Sequence, residues 1–165
     1  APLVDAELDR RFPGRELRRA QDPNSLRAAW HALEGAWDAA MARAAAMPAG
    51  TVDVSVDGEW SFAQTLRHLV FAIDAWLGRA VLRVEQPFHP LGQTIPESVE
   101  DGVDLSLFVT GTPAYDDVLA AHADRVAMVR GFLAEATAAQ LDEERAKQAQ
   151  NPADQALDEA VKSGA

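Results

Sequence analysis

The stretch Trp60-Ser61-Phe62-Ala63-Gln64-Thr65-Leu66-Arg67-His68-Leu69-Val70-Phe71-Ala72-Ile73-Asp74-Ala75-Trp76-Leu77, running on to about Val84, decides the fold. Ser61 and Gln64 stand at capping-box spacing, in which the serine oxygen accepts from a backbone N–H three residues on and the glutamine reaches back. From there Phe62, Leu66, Leu69, Ile73, Leu77 and Val81 recur at helical intervals, with Phe71 and Trp76 widening the stripe. A helix apolar over so much of its circumference is predicted to be the most central one. Pro87 lies just past its end.

Two amphipathic patterns flank it. Asp22-Pro23 reads as an N-cap followed by proline at the first helical position, and Leu26, Trp30, Leu33, Trp37 and Met41 form one apolar stripe up to about Met47, before Pro48-Ala49-Gly50. Thr112-Pro113 repeats the start signal, and Tyr115, Leu119, His122, Val126, Val129 and Leu133 share a face to about Ala136. A weaker pattern after Asn151-Pro152 places Ala153, Leu157 and Val161 inward. Together these predict an all-α helical bundle with a short or atypical last helix. The expected organisation is an N-terminal arm over 1–21, the bundle over 22–146 and an atypical tail over 147–165. Val52, Val54 and Val56 alternate with polar residues, which predicts a strand-like arm or an extended loop. Residues 85–111, EQPFHPLGQTIPESVEDGVDLSLFVTG, form a long Pro/Gly-rich crossover, and a connection of that length in a compact bundle is usually functional or a packed lid.

The 165 residues carry 15 Lys+Arg against 26 Asp+Glu, a formal charge of −11. An acidic chain of this kind is not built to neutralise phosphates or to dock on anionic lipid, so nucleic acid and membrane surfaces are not expected partners. There is no apolar run of membrane-spanning length, and residues 1–20 lack the apolar core of a signal peptide, which points to the cytoplasm. With no cysteine there is no disulfide, thiolate zinc site or cysteine nucleophile, so any metal would be held by His, Asp or Glu.

The four histidines are therefore the scarce resource. His31 shares the polar side of its helix with Arg27, Glu34 and Asp38 and reads as a surface residue. His89, between Phe88 and Pro90, is a loop residue that is either solvated or placed over a pocket mouth. His68 lies mid-helix among apolar neighbours, and His122 lies at the centre of the third stripe. Both are expected to face inward, where an imidazole needs a protein hydrogen bond or a metal to offset desolvation. Neither has a His or Glu four residues away. No glycine-rich phosphate loop or G-x-S-x-G elbow is present. Asp116-Asp117 and Asp142-Glu143-Glu144 read as a dipole-favoured first turn and a solvated helix end.

The segment from Trp60 through His68-Leu69 resembles the "W-S…L-x-H-L" opening of the second helix in DinB/YfiT-like proteins. Asp74-Ala75-Trp76-Leu77 and the run from Tyr115-Asp116-Asp117 to Val129-Arg130 are similar to its actinobacterial branch, which includes relatives of mycothiol-dependent maleylpyruvate isomerase N-terminal domains. The resemblance covers roughly 22–146. It implies a four-helix bundle in up-down-down-up order and a divalent metal, often zinc or nickel, held by three histidines. It also implies, for some members, a transferase or isomerase activity with a thiol cosubstrate. His68 matches the first ligand. The other two belong to an H-x-x-x-H on the last helix, and the segment after Arg145 contains no histidine. An altered terminus, loss of the metal site, and replacement ligands such as His122 with a carboxylate from the tail are the three explanations. A degenerate or incomplete metal site is the reading adopted, with His68 and His122 as candidate ligands. The thiol-transferase activity is its alternative, a small molecule is the expected substrate, and a homodimer is expected to cover apolar surface left by a short last helix.

Overall fold

The computed structural model describes residues 10–14, 20–99 and 102–149, so the weak helical pattern after Asn151 and most of the N-terminal arm and tail lie outside the described residues. The described chain is helical, without strands, as its apolar spacing predicts. It forms two compact units, one made of the part up to Gly35 together with the part from Leu133 onward, the other of Ala36–Phe132. The helices are α1 (Pro23–Ala45), α2 (Phe62–Ile73), α3 (Tyr115–Glu135) and α4 (Ala138–Ala149). Among the described residues no helix is long and apolar enough to cross a membrane.

In the first unit the ends of the helices are tied by polar side chains. Asp22 Oδ1 accepts from the Ser25 N–H at 2.8 Å, the expected N-cap of α1. One turn on, Arg27 donates through Nε to the Leu133 carbonyl at 2.7 Å and through a terminal nitrogen to the Ala136 carbonyl at 2.9 Å. Carbonyls at a helix C-terminus have no partner in their own helix, and the guanidinium satisfies those at the end of α3. Thr137 and Gln140 then form a capping box that starts α4, with the Gln140 N–H on Thr137 Oγ1 at 3.3 Å and the Thr137 N–H on Gln140 Oε1 at 2.9 Å. Asp142 and Glu143 therefore sit inside a new helix and not at a fraying end.

In the second unit α2 opens on the expected capping box, Gln64 N–H to Ser61 Oγ at 3.2 Å and Ser61 N–H to Gln64 Oε1 at 2.9 Å. The helix does not continue to Val84 in one form. From Asp74 to Val81 it widens into a π-helix, closed by the Leu82 N–H on the Leu77 carbonyl at 2.8 Å. Its buried side also differs from the expected stripe. Ala63, Leu66, Arg67, Val70, Phe71, Asp74 and Leu77 are buried, Leu69 and Ile73 are half-buried, Val81 is exposed, and Trp76 is 74% exposed. The buried face includes Arg67 and Asp74, two charged residues that hydrophobic spacing assigns to the solvent side. Both are satisfied by specific partners, and that is what allows their burial.

In α1 only Ala44 is fully buried, Leu26, Trp30, Trp37 and Met41 are half-buried, and Leu33 is exposed. In α3 the buried side chains of the second unit are Val118, Ala121, His122 and Val126. The valine alternation at 52–56 does not become a strand: a 3-10 turn spans Thr51–Asp53, and Val54 and Val56 are exposed. Both faces of that segment meet water, so alternation there has no sheet to serve.

Candidate functional site

The crossover is packed onto α2 by Arg67. Its Nε donates to the Leu91 carbonyl at 2.9 Å, and its terminal nitrogens donate to the Gly111 carbonyl at 3.1 Å and the Val109 carbonyl at 3.3 Å. One buried guanidinium thus holds both ends of the loop, a task suited to its planar fork of donors. Val109 N–H on the Pro90 carbonyl at 2.9 Å joins those ends to each other. Beneath them Phe71, Phe88 and Phe108 form a ring cluster with centroids 5.4 to 5.8 Å apart. Gly92 fits here because a Cβ would come within 3.0 Å of the Phe108 ring and 3.3 Å of Phe71 Cβ.

This packing sets the surroundings of His68. The Gln93 N–H donates to the Arg67 carbonyl at 3.0 Å, and the Gln93 carbonyl lies 3.0 Å from His68 Nδ1. A carbonyl oxygen only accepts, so Nδ1 carries the hydrogen in the neutral ring and Nε2 keeps its lone pair. Trp60 packs against the imidazole at 4.8 Å between centroids, and Phe71 lies at 6.1 Å. His68 lines a cavity of about 370 Å³ with Phe71, Ala72, Ala75, Trp76 and Arg79 of the same helix and Ile95, Ser98 and Val103 of the crossover. The cavity is open to solvent, and its lining is mostly apolar with His68, Arg79 and Ser98 as the polar groups.

His122 is placed differently. It is 2% exposed, its ring meets Trp37 edge-on at 5.0 Å, and its Nε2 is buried without a hydrogen-bond partner. Burial pushes its pKa below the ordinary imidazole value. It is not among the residues lining the His68 cavity. His89 is half-buried, and its part is structural: its backbone N–H donates to Asp74 Oδ2 at 2.7 Å, and its Nδ1 accepts from the Leu91 N–H at 3.1 Å. Burial lowers its pKa as well, with the nearby Arg125 charge adding to the effect. Asp74 also accepts from Arg125 Nε, so one carboxylate links the start of the π-helix, the crossover and α3. Its burial raises its pKa against the opposing pull of His89 and Arg125. His31 is on the surface as expected, 3.9 Å from Glu34.

Arg67, Asp74 and Arg125 are the residues that hydrophobic spacing does not find. Arg67 and Asp74 are seven apart, two helical turns, so their shared face is readable in principle; their partners lie 15 to 51 residues away and are not.

The described residues thus form an all-α protein whose second helix carries a histidine against a packed crossover. A profile of the DinB superfamily matches residues 32–162, most of the chain, and the chain belongs to that superfamily. The match runs past Arg145, into the lysine-containing segment. No curated protein and no solved structure matches.

The divalent metal implied by the resemblance can be tested against these side chains. His68 is arranged as a ligand would be, with Nδ1–H held by a carbonyl and Nε2 available. Among the described residues, however, no group of three or more His, Asp or Glu could share one ion, and His122 faces Trp37. The described donors do not complete a metal centre.

Proposed function

We propose that this chain is a DinB-type small-molecule-binding protein with an incomplete divalent-metal centre, its ligand taken into the cavity at His68. The observation that carries the reading is the His68 to Gln93 hydrogen bond, which leaves Nε2 as the accepting nitrogen of a ring that lines a 370 Å³ cavity. Trp76 supports it: a tryptophan 74% exposed at a cavity wall gains apolar contact only when something occupies the cavity. A bound molecule would accept apolar contact from Phe71, Trp76 and Ile95 and hydrogen-bond to Nε2.

The tautomer of His68 also favours a second reading, a metal-dependent thiol transferase or isomerase with a mycothiol-type cosubstrate. There His68 is the first ligand, and the set is completed by His122 or by a carboxylate from the C-terminal segment. Metal analysis of protein purified without added metal, compared with His68→Ala, separates the two. The incomplete centre predicts well under one equivalent in both proteins. One equivalent in the wild type, lost in His68→Ala, overturns it in favour of the transferase.

A further inference from the structure

The turn that seats the crossover on α2, His89 to Gln93, includes one hydrogen bond that a proton abolishes. His89 donates its backbone N–H to Asp74 and accepts the Gly92 N–H on its carbonyl at 2.9 Å. The Pro90 carbonyl takes the Val109 N–H, Arg67 Nε donates to the Leu91 carbonyl, and the Gln93 N–H donates to the Arg67 carbonyl. Gln93 in turn offers its own carbonyl to His68 Nδ1. Proline has no N–H, so the Leu91 N–H is the donor between His89 and Gly92, and it goes to His89 Nδ1 at 3.1 Å.

These bonds differ in what a proton does to them. Arg67 is always charged, a protonated His68 ring still donates from Nδ1, and a protonated Asp74 keeps an acceptor oxygen. His89 is the exception. A backbone N–H only donates, so His89 accepts through the Nδ1 lone pair and its neutral ring carries the hydrogen on Nε2. In the charged ring Nδ1 is a donor as well, and two donors then face each other. Among the described residues, the charged groups around this ring are Asp74 of the π-helix and Asp124 and Arg125 of α3, with Arg67 of α2 on the Leu91 carbonyl. Arg125 is paired with both acids, which weakens their pull on a charged imidazole. Burial and the Arg125 charge lower the His89 pKa against Asp74 and Asp124.

We infer that His89 is a pH-sensitive latch: its neutral ring closes the His89–Gln93 turn through the Leu91 N–H, and its protonation releases the turn and with it the hold of the Gln93 carbonyl on His68. With a lowered folded-state pKa, the latch is closed above 6.5 and opens as pH falls through the folded value. It acts on the crossover whatever the His68 cavity binds.

Amide hydrogen exchange of the whole chain from pH 7 to pH 5, corrected for intrinsic rates and referenced to α3, tests it beside an NMR titration of the His89 ring. Protection of the Leu91 and Gln93 amides is expected to fall by about tenfold, the weight of one hydrogen bond, with the midpoint of the His89 ring. His89→Asn, whose side-chain oxygen can accept the N–H two residues on without titrating, is expected to abolish the fall. His89→Leu is expected to leave Leu91 poorly protected at both ends of the range. Constant wild-type protection, a midpoint that departs from that of the His89 ring, or an equal fall in His89→Asn overturns the latch. A fall at Leu91 with Gln93 unchanged overturns the release of His68. The two wild-type midpoints decide without either variant.

Discussion

Arg125 on α3 donates through Nε to Asp74, the first residue of the π-helix, with side chains 15% and 1% exposed. The same carboxylate accepts the His89 backbone N–H at 2.7 Å, so both of its oxygens are engaged by groups from outside its own helix. Breaking such a pair from one side leaves a buried charge unpaired. Arg125→Met is expected to lower unfolding free energy by about 3–5 kcal/mol. Asp74→Asn, which keeps the shape and removes the charge, is expected to lower it by less. Urea denaturation of the two variants checks the order; a smaller loss in Arg125→Met than in Asp74→Asn contradicts the account.

The crossover depends on Arg67. A lysine cannot reproduce the planar fork aimed at the Leu91, Val109 and Gly111 carbonyls, so Arg67→Lys loses at least one of these part-buried hydrogen bonds, costing about 1 kcal/mol. Amide hydrogen exchange is expected to speed up over residues 90–111 while α3 stays protected. Uniform acceleration through the unit would instead mean that Arg67 serves global stability alone.

Two glycines are expected to respond in opposite directions to alanine. At Gly92 an added Cβ meets Phe108 at 3.0 Å and the His89 carbonyl oxygen at 3.2 Å, and overpacking of this kind costs about 1–3 kcal/mol. Gly35 is an exposed residue within α1 with nothing within 4 Å, and alanine there is expected to stabilise by about 1 kcal/mol through helix propensity. Thermal unfolding of Gly92→Ala and Gly35→Ala reads both signs.

Burial lowers the pKa of His122 and of His89 below 6.5. Between those lowered values and 6.5 the unfolded chain binds more protons than the folded one, so their contribution to stability is present above 6.5 and is lost as pH falls through the folded values. Asp74 acts in the other sense: its raised folded pKa makes its contribution largest below 3.8 and smaller as pH rises through the folded value. The expected outcome is a urea midpoint that falls from pH 7 toward pH 5. His122→Leu, which removes the unpartnered buried Nε2, is expected to make that fall shallower. An unchanged slope in this variant would show that His122 binds its proton equally in the folded and the unfolded chain, against the lowering by burial.

The start signals at Asp22, Ser61 and the helical periods of three segments made the helical class readable, because capping and burial on a helix are local in sequence. The capping box at Thr137 and Gln140 was equally local, yet α4 went unread because the acidic run 142–144 resembles a solvated end. Other features were out of reach for a different reason. Hydrophobic spacing treats Arg67 and Asp74 as polar and turns them outward, whereas both are buried by partners elsewhere in the chain. Their burial exposes Trp76, and the π-helix that begins at Asp74 has no signature in apolar periodicity. At the candidate site, the inward placement of His68 and His122 followed from their helices. What separates them did not: one is hydrogen-bonded to a loop carbonyl at a cavity wall, and the other is sealed against Trp37.

The proposed role of His68 requires Nε2 to hold a free lone pair while Nδ1 is bound to the Gln93 carbonyl. Long-range ¹H–¹⁵N correlation of the histidine rings above pH 7 reads the tautomer directly. The predicted result is a His68 ring protonated at Nδ1, with a pyridine-like Nε2 whose shift moves when a small molecule binds in the cavity. A ring protonated at Nε2, or an Nε2 signal indifferent to every probe that binds, would contradict it.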